Sequence, residues 1–541
     1  MERLRGLYRY FSLFLVCLLL VVGCRATTPD TPKTRGGDRI SIGTTLKPRT
    51  IDPADSYELA GLFIIYNVGE TLYTYEPGTT TLKPLLAKDF PKISPDGLTY
   101  RIPLRQGVIF HDGTPFNAEA MVFSLNRFLK NGGEPSFLLG DTIDTVKAIG
   151  EYEIEIALKR PFAAFPALLA YPGACAVSPK AYEIGEGKFK NEELIGTGPY
   201  RLTEVTSDAF RLDAFDRYWG EPAKNKGVDV QIYLSNPANL FNAFQTGAID
   251  VAYQSLLAPQ VRKLREEAEN GKWKAIESSG SAINFMALNF NSEPTNNISV
   301  RRAIASLIDR DLLNDRILQG QGIPLFSLIP TTFAESRPVF EKRYGRRDVE
   351  GAKQYLKTAG YSAEKPATVE IWHSSGSITS STVAAVLKAL SKRDLEGMIR
   401  FEPNSILGAA FFKNIGRGLY TTALSNWYPD FLDADNYIYP FLDCAKGSPK
   451  TGCEEGGARG QGSFFYSQKM NELIDRSRTE SDPAKRTAIF AEIQDILAEE
   501  VPYIPLWQTK EYAFARNGLR GVIINPSQTF PFWTIEGKST S

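Results

Sequence analysis

Histidine is almost missing from this chain: 541 residues contain two, His111 and His373. That is poor material for general acid–base catalysis near neutral pH, where imidazole is the side chain that titrates in range. Familiar catalytic motifs are missing too. There is no Gly-x-Ser-x-Gly elbow, no His-Glu-x-x-His site and no Gly-rich phosphate cradle. Cysteine is sparse, at five, and the two histidines lie far from any Cys pair in sequence, so no metal-ligand set is recognisable. An excess of one charge is also lacking. Lys plus Arg number 62 and Asp plus Glu number 62, which removes the basic surplus that nucleic-acid binding requires. No repeat at solenoid spacing is present. The reading therefore turns away from an enzyme, from nucleic acid, and from any metal or cofactor. A paired-carboxylate hydrolase has no motif of its own and stays as the rival class, to be separated by assays for product.

What is present is an ordinary soluble composition, 43% hydrophobic and 23% charged, on a chain too long for one core. Tyr, Phe and Trp number 24, 32 and 6, a load that core packing mostly absorbs. Strand-like and helix-like segments alternate irregularly, which predicts an α/β protein with mixed sheets. Asp96-Gly97 reads as a turn before an alternating strand over Leu98–Leu104. A helix is predicted after Asn117 as N-cap, with Val122, Leu125 and Leu129 as its apolar stripe and Asn131-Gly132 at its end. A second carries Val300, Ile304, Leu307 and Ile308 on one face. A third runs from about Val349 to Ala359. A fourth has Asp482 as N-cap, Pro483 at its first position, Ile489, Ile493, Ile496 and Leu497 as its stripe, and Pro502 beyond its end.

The first residues read as an address. Arg3, Arg5 and Arg9 precede an uncharged run from Phe11 to Gly23, shorter than the ~20 apolar residues that span a bilayer. A basic segment followed by a short apolar one is a secretory signal. Its end, Val21-Val22-Gly23-Cys24, resembles the bacterial lipobox, in which the Cys thiol takes a diacylglyceryl group. Residues 1–23 are thus expected to be a lipoprotein signal peptide, Cys24 the lipidation site and 24–38 a flexible tether. Export implies an oxidising compartment. Cys175 sits in a small apolar run and reads as a buried thiol. Cys444 and Cys453 flank a Gly-, Lys- and Ser-rich stretch and read as a disulfide.

Further along, Leu86-Ala87-Lys88-Asp89-Phe90, Ser94-Pro95-Asp96-Gly97-Leu98-Thr99-Tyr100 and Leu104-Arg105-Gln106-Gly107-Val108-Ile109-Phe110-His111-Asp112-Gly113-Thr114-Pro115-Phe116 form a specific block. Gly196-Thr197-Gly198-Pro199-Tyr200, Gly247-Ala248-Ile249-Asp250 and Val300-Arg301-Arg302-Ala303-Ile304 with Ile308-Asp309-Arg310 agree with it. Together they resemble the peptide/nickel (oligopeptide-binding, family 5) class of ABC-transporter solute-binding proteins, over about Ile40 to Pro526. Most of these residues read as structural: Gly97, Gly113 and Gly198 as turns, Asp96, Asp112 and Asp309 as turn or cap residues, Arg105 and Arg301 as ion-pairing ties between loops.

The resemblance implies a two-lobed, periplasmic-binding-protein-like clamp with an extra domain and the ligand cleft between the lobes. Lobe I would be discontinuous, over 39–75, 196–285 and 505–541. An additional domain over 76–195 would pack on it, and lobe II would span 286–504. It further implies a monomer at the outer face of the cell membrane or in the periplasm, handing oligopeptide- or dipeptide-like ligands to permease subunits of an ABC importer. Other solutes on the same frame, such as opines, sugars or metal chelates, are the alternative. In peptide-binding members a Trp-x-x-Asp element pairs its Asp with the ligand's α-amino group. Carried across, Asp430 is that anchor and Trp427 walls the pocket. Asp433 and Asp435 read as a solvated acidic loop in preference to a cation site. The stretch Cys444–Ser463 has no match in the family pattern and is a candidate edge of the cleft.

The anchor is directly testable. Cys24→Ala should abolish metabolic lipid labelling and block lipoprotein-type cleavage, read by intact mass of the mature protein. A wild-type mature N-terminus elsewhere, without lipid mass, refutes it.

Overall fold

The computed structural model describes residues 38–254 and 256–537. The signal segment, Cys24 and nearly all of the tether lie outside the described residues. Among the described residues no helix is long and apolar enough to cross a membrane.

The dominant element is an 11-stranded mixed sheet. Its spine is a pair of long antiparallel strands, Lys274–Leu288 and Tyr503–Ala515. The pair changes register between Ser279 and Ile283. On one side of that break Tyr503–Ala515 pairs with Val251–Tyr253, and the sheet continues through Arg39–Thr44, Gly227–Ile232, Ala209–Ala214 and Tyr200–Val205. On the other side Lys274–Leu288 pairs with Thr422–Trp427, and the sheet continues through Ala367–Ser374 and Ile399–Ile406. Two halves of one sheet are thus joined by two strands that run through both. Strands such as Arg39–Thr44 and Ala367–Ser374 take parallel partners, the rest antiparallel ones. Central positions on one face are buried (Ile42, Val228, Val230, Ile371), and the positions between them in Gly227–Ile232 and Ala367–Ser374 are mostly only partly buried.

A separate four-stranded antiparallel sheet holds Lys92–Ile93, Thr99–Pro103, Glu153–Leu158 and Ile143–Gly150. The helix Ala118–Lys130 packs on it. Asn117 caps that helix by accepting the Ala120 N–H at 3.0 Å, as its sequence announced. Its inward stripe is rotated from the expectation. Met121, Leu125 and Phe128 are buried, while Val122 and Leu129 sit on the shoulder. Arg127 explains the rotation. It turns inward to form a two-pronged ion pair with Asp52, at 2.8 and 2.6 Å. Asp52 also accepts the Ala54 and Lys190 N–H groups, and Arg127 lies over the Tyr182 ring and donates to the Lys188 carbonyl. The helices Ile298–Leu307, Val349–Thr358 and Pro483–Glu500 form where capping and periodicity place them, the last ending at Val501 in a left-handed conformation.

One further reading needs correction, at Arg105, while the ion pair expected of Arg301 is present, to Glu500. Arg105 makes no ion pair among the described residues; its Nε donates to the Leu85 carbonyl and its guanidinium lies 4.8 Å from the Trp219 ring centre. Arg301 satisfies itself chiefly on the carbonyls of Glu500, Thr295 and Asn296, with the Glu500 carboxylate farther off at 3.7 Å. Arginine at chain crossings thus works here as a carbonyl clamp, because its fork of N–H groups suits unpaired loop carbonyls.

The Asp52–Arg127 pair is the largest charge held away from water in the extra sheet's surroundings. Removing one partner of such a pair costs about 3–5 kcal/mol. Asp52→Asn should therefore lower the unfolding free energy read from urea titration by that margin, while a swap at an exposed pair such as Lys83–Glu76 should change it by less than about 1 kcal/mol.

Candidate functional site

The two halves of the large sheet face one another across a continuous cleft. It consists of cavities of about 710 Å³ and about 480 Å³ that share Phe412, Asn426 and Tyr428. The larger takes Gln254, Leu257 and Val261 from one half and Ser374, Ser377, Ser380, Leu424 and Ser425 from the other, over a floor of Asn284, Trp507 and Glu511. The smaller is walled by Tyr57, Phe63, Tyr66, Tyr171, Trp427 and Asp430.

Asp430 follows the strand Thr422–Trp427 by three residues, in a loop that one side chain holds. Asn436 Oδ1 accepts both the Trp427 indole N–H and the Asp430 backbone N–H, each at 3.1 Å. Asn436 sits in the short turn Ala434–Tyr437, which Asp433 caps by accepting the Asp435 N–H at 2.8 Å. Trp427 is thereby fixed edge-on to Phe441, 5.4 Å between ring centres. Asp430 Oδ1 accepts the Tyr57 hydroxyl at 2.7 Å. Burial raises the Asp430 acid above the usual carboxylate range, against the hydrogen bonds from Tyr57 and Asn436 that lower it. Burial and the neighbouring carboxylate push the Tyr57 hydroxyl up, so Tyr57 is the donor. No cation pairs with Asp430 among the described residues.

Asp433 and Asp435 are not a solvated loop. Asp433 forms a two-pronged pair with Arg486 at 2.6 and 2.8 Å, and Asp435 is buried 3.5 Å from Arg478. Arg478 in turn lies over the Tyr439 ring at 3.8 Å. Burial lifts Asp435 to about 6, opposed by Arg478. The two aspartates anchor the loop that presents Asp430. Their arginine partners come from the helices Gln468–Thr479 and Pro483–Glu500, some 40–50 residues on, which local sequence does not reveal.

Cys444 and Cys453 are bonded, closing a small hairpin of Lys446–Ser448 and Gly452–Glu455. The stretch Cys444–Ser463 lines neither part of the cleft. It packs on Asn291 and on the Tyr439–Leu442 helix instead. Cys175 is a buried thiol. His111 is half-buried with its Nε2 2.9 Å from the Gly198 carbonyl, and desolvation of the ring lowers it to about 4. His373 is buried on the strand Ala367–Ser374.

Sequence reasoning passed over Glu511. It lies on Tyr503–Ala515 beside the register break, 8% exposed. Its Oε1 accepts Gln528 Nε2–H at 2.8 Å. A Cβ on Gly280 would come within 3.0 Å of Glu511 Cγ, so glycine makes the room for this side chain. At the far end of the larger cavity stand Ser374, Ser377, Thr379 and Ser380, at the start of the helix Ile378–Asp394. The partial positive charge of that helix end favours electron-rich groups.

A cleft between two lobes joined by two through-running strands defines a clamp-type binding protein, built to enclose a solute. The profile of the bacterial extracellular solute-binding proteins, family 5 (middle region), matches residues 81–449, and the chain belongs to that family. It is 28% identical over 545 residues to Di/tripeptide-binding protein 2 of Pseudomonas aeruginosa (strain UCBPP-PA14), covering 95% of this chain and 97% of that one. Among solved structures it superposes on HbpA2 from Haemophilus parasuis with a TM-score of 0.81 at 20% identity, covering 93% of this chain and 100% of the other. The periplasmic murein tripeptide binding protein MppA, in an unliganded open form, gives 0.78 at 20% identity, with 93% and 98% covered. Members of this family are binding proteins, not enzymes.

Glu511 has a measurable cost. Burial lifts its acid from 4.5 to about 7, with the Gln528 hydrogen bond opposing. An acid with a raised folded-state pKa supports the fold below its unfolded value and loses that support as pH rises through the folded value. Glu511→Gln should therefore stabilise the ligand-free protein at pH 8 by on the order of 3 kcal/mol at most, a gain that fades by about pH 4.5. Urea midpoints of both proteins at the two pH values check it; a gap independent of pH refutes it.

Proposed function

We propose that this chain is the extracytoplasmic receptor of an ABC importer, held to membrane by lipid on Cys24, and that it captures short peptides by their free amino end. The observation that carries the ligand class is Asp430: a carboxylate in the cleft wall, oriented by Tyr57 and Asn436, desolvated and without a paired cation among the described residues. Such a group favours an incoming ammonium, and the charge-assisted hydrogen bond contributes about 1.5–3 kcal/mol. Trp427, locked edge-on, is the wall beside it. The relative named as a di/tripeptide-binding protein supports the same class. No catalytic role is assigned to this chain.

On this reading the domain division is lobe I over 39–75, 196–285 and 505–541, an additional domain over 76–195, and lobe II over 286–504. The through-running strands are then the hinge. Ligand contacting both lobes would favour a closed form. Leu257 on one half and Phe412 and Tyr428 on the other are exposed large apolar residues lining the cleft. Closure over a ligand would remove them from water.

A four-way calorimetric comparison tests the site: wild type and Asp430→Asn, each with a free and an N-acetylated tripeptide. Loss of either charge should weaken binding by about 2–5 kcal/mol, roughly 30- to several-thousand-fold. The two losses should not add, since both delete one interaction. If acetylation costs the same in both proteins, Asp430 is not the amino-end anchor. If product accumulates from peptide or glycoside, the hydrolase reading takes over.

A further inference from the structure

The cleft contains a second buried carboxylate that no cation among the described residues pairs with. Glu511 lines the larger cavity. Its one hydrogen-bond donor among the described residues is Gln528 Nε2, received on Oε1, and Oε2 receives none. Gln528 belongs to the wall of the smaller cavity, so Glu511 lies where the two cavities meet, beside Tyr428, which lines both. The charged residues of the cleft lining are Glu58, Asp430, Lys510 and Glu511. Lys510, the sole cation, is held by Glu277 at 2.6 Å on the neighbouring strand. Glu58 is occupied by the N–H groups of Arg49 and Tyr57. Two carboxylates thus remain open to a ligand, Asp430 at one end and Glu511 at the waist.

Other buried carboxylates among the described residues have an arginine or several donors close by, although Asp435 Oδ1 receives no hydrogen bond and has only its ion pair. Asp52 has Arg127, Asp433 has Arg486 and Asp435 has Arg478. Glu70 has three neutral donors, Thr197, Tyr218 and Trp219. Glu511 has a single neutral donor in a position that Gly280 keeps clear. A buried, uncompensated charge is unfavourable unless a partner arrives.

We infer that Glu511 is a specificity residue that recognises a second positive group on the ligand, so that this cleft selects peptides carrying a basic side chain. The inference rests on the peptide reading for its ligand class and on the geometry of Glu511 for its charge. Desolvation, which holds Glu511 near pH 7 in its titration, would be offset when a lysine ammonium or guanidinium enters.

The test uses the purified mature protein and tripeptides of alanine in which each position in turn is Lys or its uncharged isostere norleucine. At one position or more, Lys should bind wild type at least about tenfold tighter than norleucine. In Glu511→Gln that ratio should fall to about one, while Asp430→Asn should weaken both peptides and keep the ratio. The wild-type comparison alone is decisive if the Gln variant does not fold. Should Lys bind no tighter than norleucine at any position while neutral peptides bind well, this inference is overturned and the peptide reading stands. Should no tripeptide bind, the peptide reading falls, and agmatine replaces it as the probe. Saturable agmatine binding that Glu511→Gln weakens at least about tenfold keeps a cation site at Glu511; no agmatine binding overturns it.

Discussion

Everything else in this molecule is arranged around the pairing of two strands, Lys274–Leu288 with Tyr503–Ala515. Backbone hydrogen bonds are obligatory in a buried sheet, so two strands shared by both halves cannot be lost without opening each half's core. The same pair changes register in its middle, between Ser279 and Ile283. A register shift inserts chain on one strand, bends it and increases local twist. Connection and bend therefore occur at one place. That combination joins the two packed halves at a bend, and makes the bend the floor of the cleft. The floor residues Asn284, Trp507 and Glu511 are set by the sheet itself and not by loops. Asp430 is one step removed, on the loop that leaves the next strand.

Charge placement separates the parts that hold the fold from the parts that meet a ligand. Some acids buried for structure receive arginine and backbone N–H groups, as around Asp52, and Glu70 receives three neutral donors at once. Where the chain faces the cleft, it supplies only neutral donors: Tyr57 to Asp430 and Gln528 to Glu511. A neutral donor orients a carboxylate without cancelling its charge, so the attraction stays available for something else. The stability lost by this arrangement is of the kind commonly found at functional sites.

Much of the frame was legible because its signals are local. Asn117, Asp309 and Asp482 accept N–H groups at the helix starts their positions suggest. Gly97 and Gly113 both adopt positive φ in turns flanking the family's signature block. Asp430 and Trp427 were reached by resemblance alone, and the structure puts both in one cavity wall. What stayed hidden depends on partners distant in sequence. Asp433 and Asp435 looked solvated because their arginines lie on later helices. The stripe of Ala118–Lys130 was misjudged because Arg127, polar by type, is drawn inward by Asp52. Tyr57 stands 373 residues from the carboxylate it orients. Glu511 gave no signal at all, since an acid between Lys510 and Tyr512 on an alternating strand reads as a surface position.

The cleft's polarity argues for how one protein could accept many peptides and still discriminate. Its ends differ: a carboxylate fixed by Tyr57 and Asn436 on one side, serine and threonine hydroxyls at a helix start on the other. Between them the lining is mixed, with Phe412, Leu424, Tyr428 and Trp507 set among Gln254, Asn284, Asn426 and Thr509. Apolar walls contribute affinity without reading sequence, because burial scales with area and not with direction. Discrimination then falls to the few groups whose desolvation must be compensated. A ligand that leaves such a group unpaired loses more than one that merely underfills an apolar wall. On the proposed reading those groups are Asp430 and Glu511, so a ligand's positive charges, more than its shape, would set its affinity.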